Sequence, residues 1–156
     1  MTASQRAAAG RIVVGVDGSD HSKLALEWAA RIAAAEGAWL DVVAVWETPT
    51  WYGWAPVLPD DYVPGQDMQK LLDETVDDVF GAERPADLRL RAVRGYPAAA
   101  LLEASKDALM LVVGSRGHGG FRGLLLGSVS ANVAEHATCP VLVVHRSKPD
   151  TGEAAA

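Results

Sequence analysis

Short β-branched apolar runs alternate along this chain with stretches whose apolar residues recur at helical spacing. "RIVVGVD" (11–17), "WLDVVAVW" (39–46), "LRLRAVR" (88–94), "ALMLVVG" (108–114) and "PVLVVH" (140–145) read as strands. Leu24, Ala25, Trp28, Ala29, Ile32 and Ala33 define one helical face, with Ser19 or Asp20 as its cap and Gly37 just past its end. Met68, Leu71, Leu72, Val76, Val79 and Phe80 define a second helix, closed by Gly81. "PAAALLEASK" carries proline where a helix tolerates it, and "SVSANVAEHA" forms the last helix. Strands alternating with helices imply right-handed crossovers and a parallel sheet. The expected fold is therefore a doubly wound, Rossmann-like α/β domain. Its five-stranded parallel sheet runs in order 3-2-1-4-5, with helices on both faces, because the first and fourth strands have the most fully apolar runs.

The pattern covers residues 11–146 and leaves 1–10 ("MTASQRAAAG") and 147–156 as short tails expected to be flexible. One segment between the second strand and its helix fits neither period. It holds Trp46, Trp51, Tyr52, Trp54 and Tyr62 among several prolines and reads as an irregular crossover, with aromatic packing favoured over a partner patch or ligand lid.

Composition narrows the function. With 14 basic and 20 acidic side chains the formal charge is −6, and no basic stripe marks a nucleic-acid surface. No apolar stretch is long enough for a bilayer, so a cytoplasmic protein without membrane association is expected. The single cysteine, Cys139, excludes an internal disulfide and reads as a small hydrophobe.

The candidate chemistry lies in "GSRGHGGFRGLLLGSVS" (114–130). A P-loop needs a lysine, and none occurs between Lys106 and Lys148. A dinucleotide fingerprint would follow the first strand, and here Arg122 stands where its third glycine belongs. A different spacing is complete. Gly114 and Gly117 flank two residues, nine more lead to Gly127, and Ser128 follows. Gly114 ends a strand, and Gly117 lets the chain turn so that amides face an anion. Gly127 and Ser128 stand at a helix start, where unpaired N–H groups and the helix dipole favour phosphate. Ser128 and Ser130 add hydroxyl donors, although Ser128 also suits a helix cap. In a 3-2-1-4-5 sheet this loop meets the end of the first strand at the switch point, where such sheets bind ligands. Asp17 closes that strand, as a ribose or metal contact or as a cap for the following helix.

Together, "RIVVGVDGSDHS" and the segment from "VRGYPAAALLEASK" to "PVLVVH" resemble the universal stress proteins, specifically their ATP-binding branch. The resemblance implies ATP as ligand, with Mg2+ at Asp17. It places Gly15, Asp17, Gly114, Arg116, Gly117, Gly127, Ser128, Val129 and Ser130 around the ribose and phosphates, and Val45 at the adenine edge through its backbone. It also implies a homodimer pairing the last strands, Val141–His145, an arrangement that would cover an apolar edge.

An ATP site is not an ATPase. Fast hydrolysis needs a placed base, a metal and charge stabilisation. His118 lies in the loop with no evident carboxylate to orient it, so no catalytic residue is assigned. The nucleotidyltransferase His-x-Gly-His element and the pyrophosphatase Ser-Gly-Gly-x-Asp-Ser element are both missing after the first strand. A nucleotide-dependent regulator of a stress or growth-arrest response, with slow or no hydrolysis, is the leading expectation. The rivals are an ATP hydrolase or phosphotransferase using Arg116 and His118, and a dimeric interaction module in which nucleotide is structural.

Overall fold

A computed structural model describes residues 2–47, 63–117 and 126–146. Five strands, β1 (Arg11–Gly15), β2 (Trp39–Trp46), β3 (Leu88–Arg94), β4 (Met110–Gly114) and β5 (Val141–Val144), form one sheet in the order β3-β2-β1-β4-β5. Every neighbouring pair is parallel. The helices are α1 (Ala3–Ala8), α2 (Asp20–Glu36), α3 (Pro64–Phe80), α4 (Pro97–Ala104) and α5 (Ser128–His136). The doubly wound fold expected from the hydrophobic pattern is the observed one.

Side-chain alternation divides the core in two. Ile12, Val14, Val42 and Val112 face α2 and α3, packing with Leu26, Leu72 and Val76. Val13, Val43, Leu111 and Val113 face the other way, onto Leu101 of α4 and Val133 of α5. A central strand must be apolar on both faces, which is why β1 and β4 read as unbroken runs.

One expectation changes. On α2 the buried set is Ser22, Ala25, Leu26, Ala29 and Ala33, whereas Trp28 is 44% exposed and stacks beneath the Arg31 guanidinium. The helix turns its small residues to the sheet because they allow closer approach, and the large indole lies outside that seam. The segment before β1 carries the helix α1. Thr2 and Gln5 close a reciprocal capping box on α1, and Trp39 donates its indole N–H to the Arg6 carbonyl. Arg6 and Arg11 both lie against the Trp39 ring, 5.6 and 5.8 Å from its centroid.

Asp41 sits within the apolar β2 run and is completely buried. Arg91 of β3 donates to both of its oxygens, at 2.9 and 2.7 Å, and Arg11 of β1 donates to one at 3.4 Å. The carboxylate thus ties the three strands on the α4 side of the sheet, and its burial is tolerable because two guanidiniums satisfy it. At the opposite end, Gly114 meets α2. A methyl there would lie 2.8–2.9 Å from the His21 backbone carbonyl and Cβ, and backbone cannot yield as a side chain would.

Arg91→Ala leaves the buried Asp41 with the longer bond from Arg11 and should cost about 3 kcal/mol, read as a lowered urea midpoint. Lys23→Ala removes only the exposed pair with Asp78 and should leave the midpoint unchanged. Gly114→Ala should cost about 1–3 kcal/mol by overpacking; a wild-type midpoint would show that α2 can shift freely.

Candidate functional site

β1 and β4 lie side by side in register, yet β1 leads to α2 on one face and β4 leads toward α5 on the other. Their carboxyl ends therefore diverge and open a crevice. The cavity there has a volume of about 220 Å3 and is lined from both motifs, including Gly15, Asp17, Val45, Gly114, Arg116 and Gly117. Gly127, Ser128, Val129 and Ser130 line it as well. The ten residues that the resemblance placed around a ligand thus border one space.

The two motifs touch. A methyl on Gly117 would collide with the Asp17 carboxylate, so a larger residue there would have to displace that side chain. Asp17 does not cap α2. Its Oδ1 accepts from the Ser19 amide and hydroxyl, at 2.9 and 2.5 Å, while the Ser19 hydroxyl caps the helix by accepting from the Ser22 amide. Ser22, buried in the crevice, donates to the Ser19 carbonyl and accepts from the Asp17 amide. Hydrogen bonds on both its main chain and its side chain hold Asp17 at the mouth.

The amide donors are arranged differently from expectation. The Gly127 N–H is engaged, donating to the Ser115 carbonyl at 2.7 Å. The Ser130 hydroxyl donates to the same carbonyl at 2.9 Å and also contacts the Gly127 carbonyl at 3.1 Å. Ser130 is buried at 2% exposure. The Gly127 amide and the Ser130 hydroxyl thus both close on the Ser115 carbonyl and join the end of β4 to the start of α5. Gly127 is the N-cap of α5 and provides no side chain, so Ser128 is the first helical residue rather than a cap. The first intrahelical bond runs from Ala131 to Gly127. The amides of Ser128, Val129 and Ser130 have no acceptor among the described residues and form the electropositive start of a nine-residue helix.

Much of the remaining lining is apolar. Val16, Val43, Val45, Pro97, Leu101 and Val113 border the crevice, and Leu101 lies over Gly15, where a methyl would come within 2.8 Å of Leu101 Cδ1. Ser22, Ser115, Pro97 and Leu101 were not anticipated as site residues. Pro97 and Leu101 carry an ordinary helical signal, and nothing in the local sequence says that this helix roofs a cavity. Among the described residues no histidine lines the crevice and no cluster of three metal-ligating side chains occurs. His118, Arg122 and the aromatic crossover from Trp51 to Tyr62 lie outside the described residues. No described helix is long and apolar enough to cross a membrane.

With this geometry in hand, three comparisons are informative. The model of the universal stress protein family matches residues 9–145. A universal stress protein of Mycolicibacterium smegmatis is 38% identical over 139 residues, covering 85% of this chain and 45% of that protein. The chain spans about half the length of the curated relatives it matches. A crystal structure of a universal stress protein in complex with cAMP superposes with a TM-score of 0.65 at 37% identity, over 89% of this chain and 98% of the other. UspA from Lactobacillus plantarum superposes with a TM-score of 0.71 at 23% identity, over 86% and 97% of the two chains, a likeness of fold. Sheet order, crevice and family model agree: this chain belongs to the universal stress protein family.

Proposed function

We infer that the crevice binds an adenine nucleotide, ATP in particular, and that the protein acts as a nucleotide-dependent regulator with slow or no hydrolysis. One observation carries this reading. Asp17 meets Gly117 at the switch point, and Ser128, Val129 and Ser130, whose amides have no acceptor among the described residues, line the same crevice together with the apolar Val43, Val45, Pro97 and Leu101. That sequence of surfaces suits a nucleotide: a base among Val45, Pro97 and Leu101, a ribose near Asp17, and phosphates at Ser128–Ser130 beside Arg116. The relative crystallised with cAMP supports an adenine ligand for this chain. A lone carboxylate, Asp17, suits a Mg2+ carried in by the phosphates, since magnesium takes few protein ligands and keeps the rest as water and phosphate oxygen. Bound there, the ion would supply charge neutralisation for the triphosphate.

The regulatory assignment follows from what surrounds the cradle. No described side chain is arranged as a base toward the phosphate end, and a bound nucleotide would then act by its presence. The same reading includes a homodimer. Among the described residues β5 pairs with β4 on one side only, and its four residues are valine and leucine. Pairing with the β5 of a second copy, through Val141–His145, would satisfy that edge.

Equilibrium titration with ATP, ADP, AMP and cAMP should show saturable binding, and no detectable binding of any of the four would overturn the assignment. Leu101→Trp should fill the base end and weaken nucleotide binding at least tenfold with the fold retained. Gly117→Ala should displace Asp17 and weaken binding by a similar factor, while phosphate release from ATP stays near the buffer rate in the wild type. Light scattering should return twice the chain mass.

A further inference from the structure

A second cavity, of about 590 Å3, opens on the far side of α4 from the nucleotide crevice. α4 is the wall between them. Pro97 and Leu101 border the crevice, whereas Ala99, Ala100, Glu103 and Ala104 border the second cavity, with the β3 edge and the Gly95–Tyr96 turn opposite. The volume lies within the range of small-molecule sites.

Arg11 and Arg91 line this cavity, and both are held from behind. Arg91 spends Nε and one Nη2 hydrogen on the buried Asp41, and Arg11 spends Nη1 on Asp41 and Nη2 on the Lys106 carbonyl at 2.7 Å. Trp39 adds a face against Arg11. A guanidinium has five N–H groups, so each arginine keeps three beyond those bonds. Their side chains are about a quarter exposed, at 24% and 26%, which leaves those groups accessible from the cavity. Two fixed guanidiniums side by side form a bidentate receptor for a planar or tetrahedral oxyanion.

Charge favours an anion as well. Arg94 adds a third positive charge at the end of β3, stacked over Trp46. Of the two opposing carboxylates, Asp41 is already shared by the two arginines, and Glu103 pairs with Lys106 at 2.5 Å. The local balance is positive in a chain whose net charge is −6. The remaining surface is small and apolar, with alanine methyls on α4 and the Tyr96 ring, 74% exposed, at the rim. An inorganic ion would leave most of that space unfilled.

We propose that this cavity is a second ligand site, which takes a small organic oxyanion, a phosphate monoester or carboxylate, through Arg11 and Arg91, with the carbon body resting on Ala99 and Ala100. It stands independently of the nucleotide reading. The test is a titration of 15N-labelled full chain at constant ionic strength with inorganic phosphate, glycerol 3-phosphate and succinate, and with chloride as control. The Nε–Hε signals of Arg11 and Arg91 and the amides of Gly95, Tyr96, Ala99 and Ala100 report this cavity; those of Ser128–Ser130 report the crevice. At least one organic anion should shift the first set saturably, and at a concentration at least threefold below inorganic phosphate. Which of the two does so identifies the head group. Ala99→Trp should weaken that effect at least tenfold and leave the Ser128–Ser130 response unchanged, and Arg91→Lys, which keeps a cation beside Asp41, should also weaken it. The proposal fails if no organic anion moves the arginine signals saturably, if chloride reproduces the shifts, or if Ala99→Trp binds like the wild type.

Discussion

The adjacency of β1 and β4 is the constraint on which the rest of this molecule depends. The two strands pair in parallel, Ile12 to Met110 through Val14 to Val112, yet the helices that follow them pack on opposite faces. Two chains leaving one point in opposite directions cannot fill the space between them, and the crevice is what remains. Its walls come from the strand ends, so they are as rigid as the sheet. The helix start at Ser128 and the turn at Asp17 are brought together by strand pairing, with no need for direct contact between α2 and α5.

Around that crevice, main-chain amides and apolar side chains contribute different parts of the lining. The Ser115 carbonyl gathers the Gly127 amide and the Ser130 hydroxyl, and the next three amides have no acceptor among the described residues. Ser19 and Ser22 perform the corresponding task for Asp17. These short polar side chains set the direction of the groups that face the cavity, a form of preorganisation. α4 contributes differently, through the shape of its two faces, with Leu101 on one and a row of alanines on the other. The ion cluster at Asp41 lies at the opposite end of the sheet. There it fixes β3 against β2 and β1 and holds two guanidiniums at the wall of the second cavity.

Much of this was legible in the residues. Strand and helix identities, the sheet order, Gly37 and Gly81 as helix ends, and the convergence of Asp17 with Gly114 and Gly117 all follow from local periodicity and one topological rule. Those features depend on nearest neighbours and on the handedness of crossovers, which are encoded over short stretches. Other features were not legible. Trp28 satisfied the helical period and still faces solvent, because the seam under α2 is narrow and takes alanine. The α1 segment resembled a tail, since its anchor is a tryptophan 33 residues further on.

The sharper division runs between donors and their partners. That Gly127 and Ser128 begin a helix is written in the chain; that the Gly127 amide is consumed by Ser115, while those of Ser128, Val129 and Ser130 are not, emerges only when the loop closes on itself. Asp41 makes the same point. In sequence it is one acidic residue interrupting an apolar strand, and its guanidinium partners lie 30 and 50 residues away. Hydrophobic periodicity is a property of each segment, so sequence alone reveals the fold and the strand ends that border the crevice. Hydrogen-bond saturation is a property of pairs brought together across the fold, so which groups are spent and which face the crevice was decided by tertiary structure.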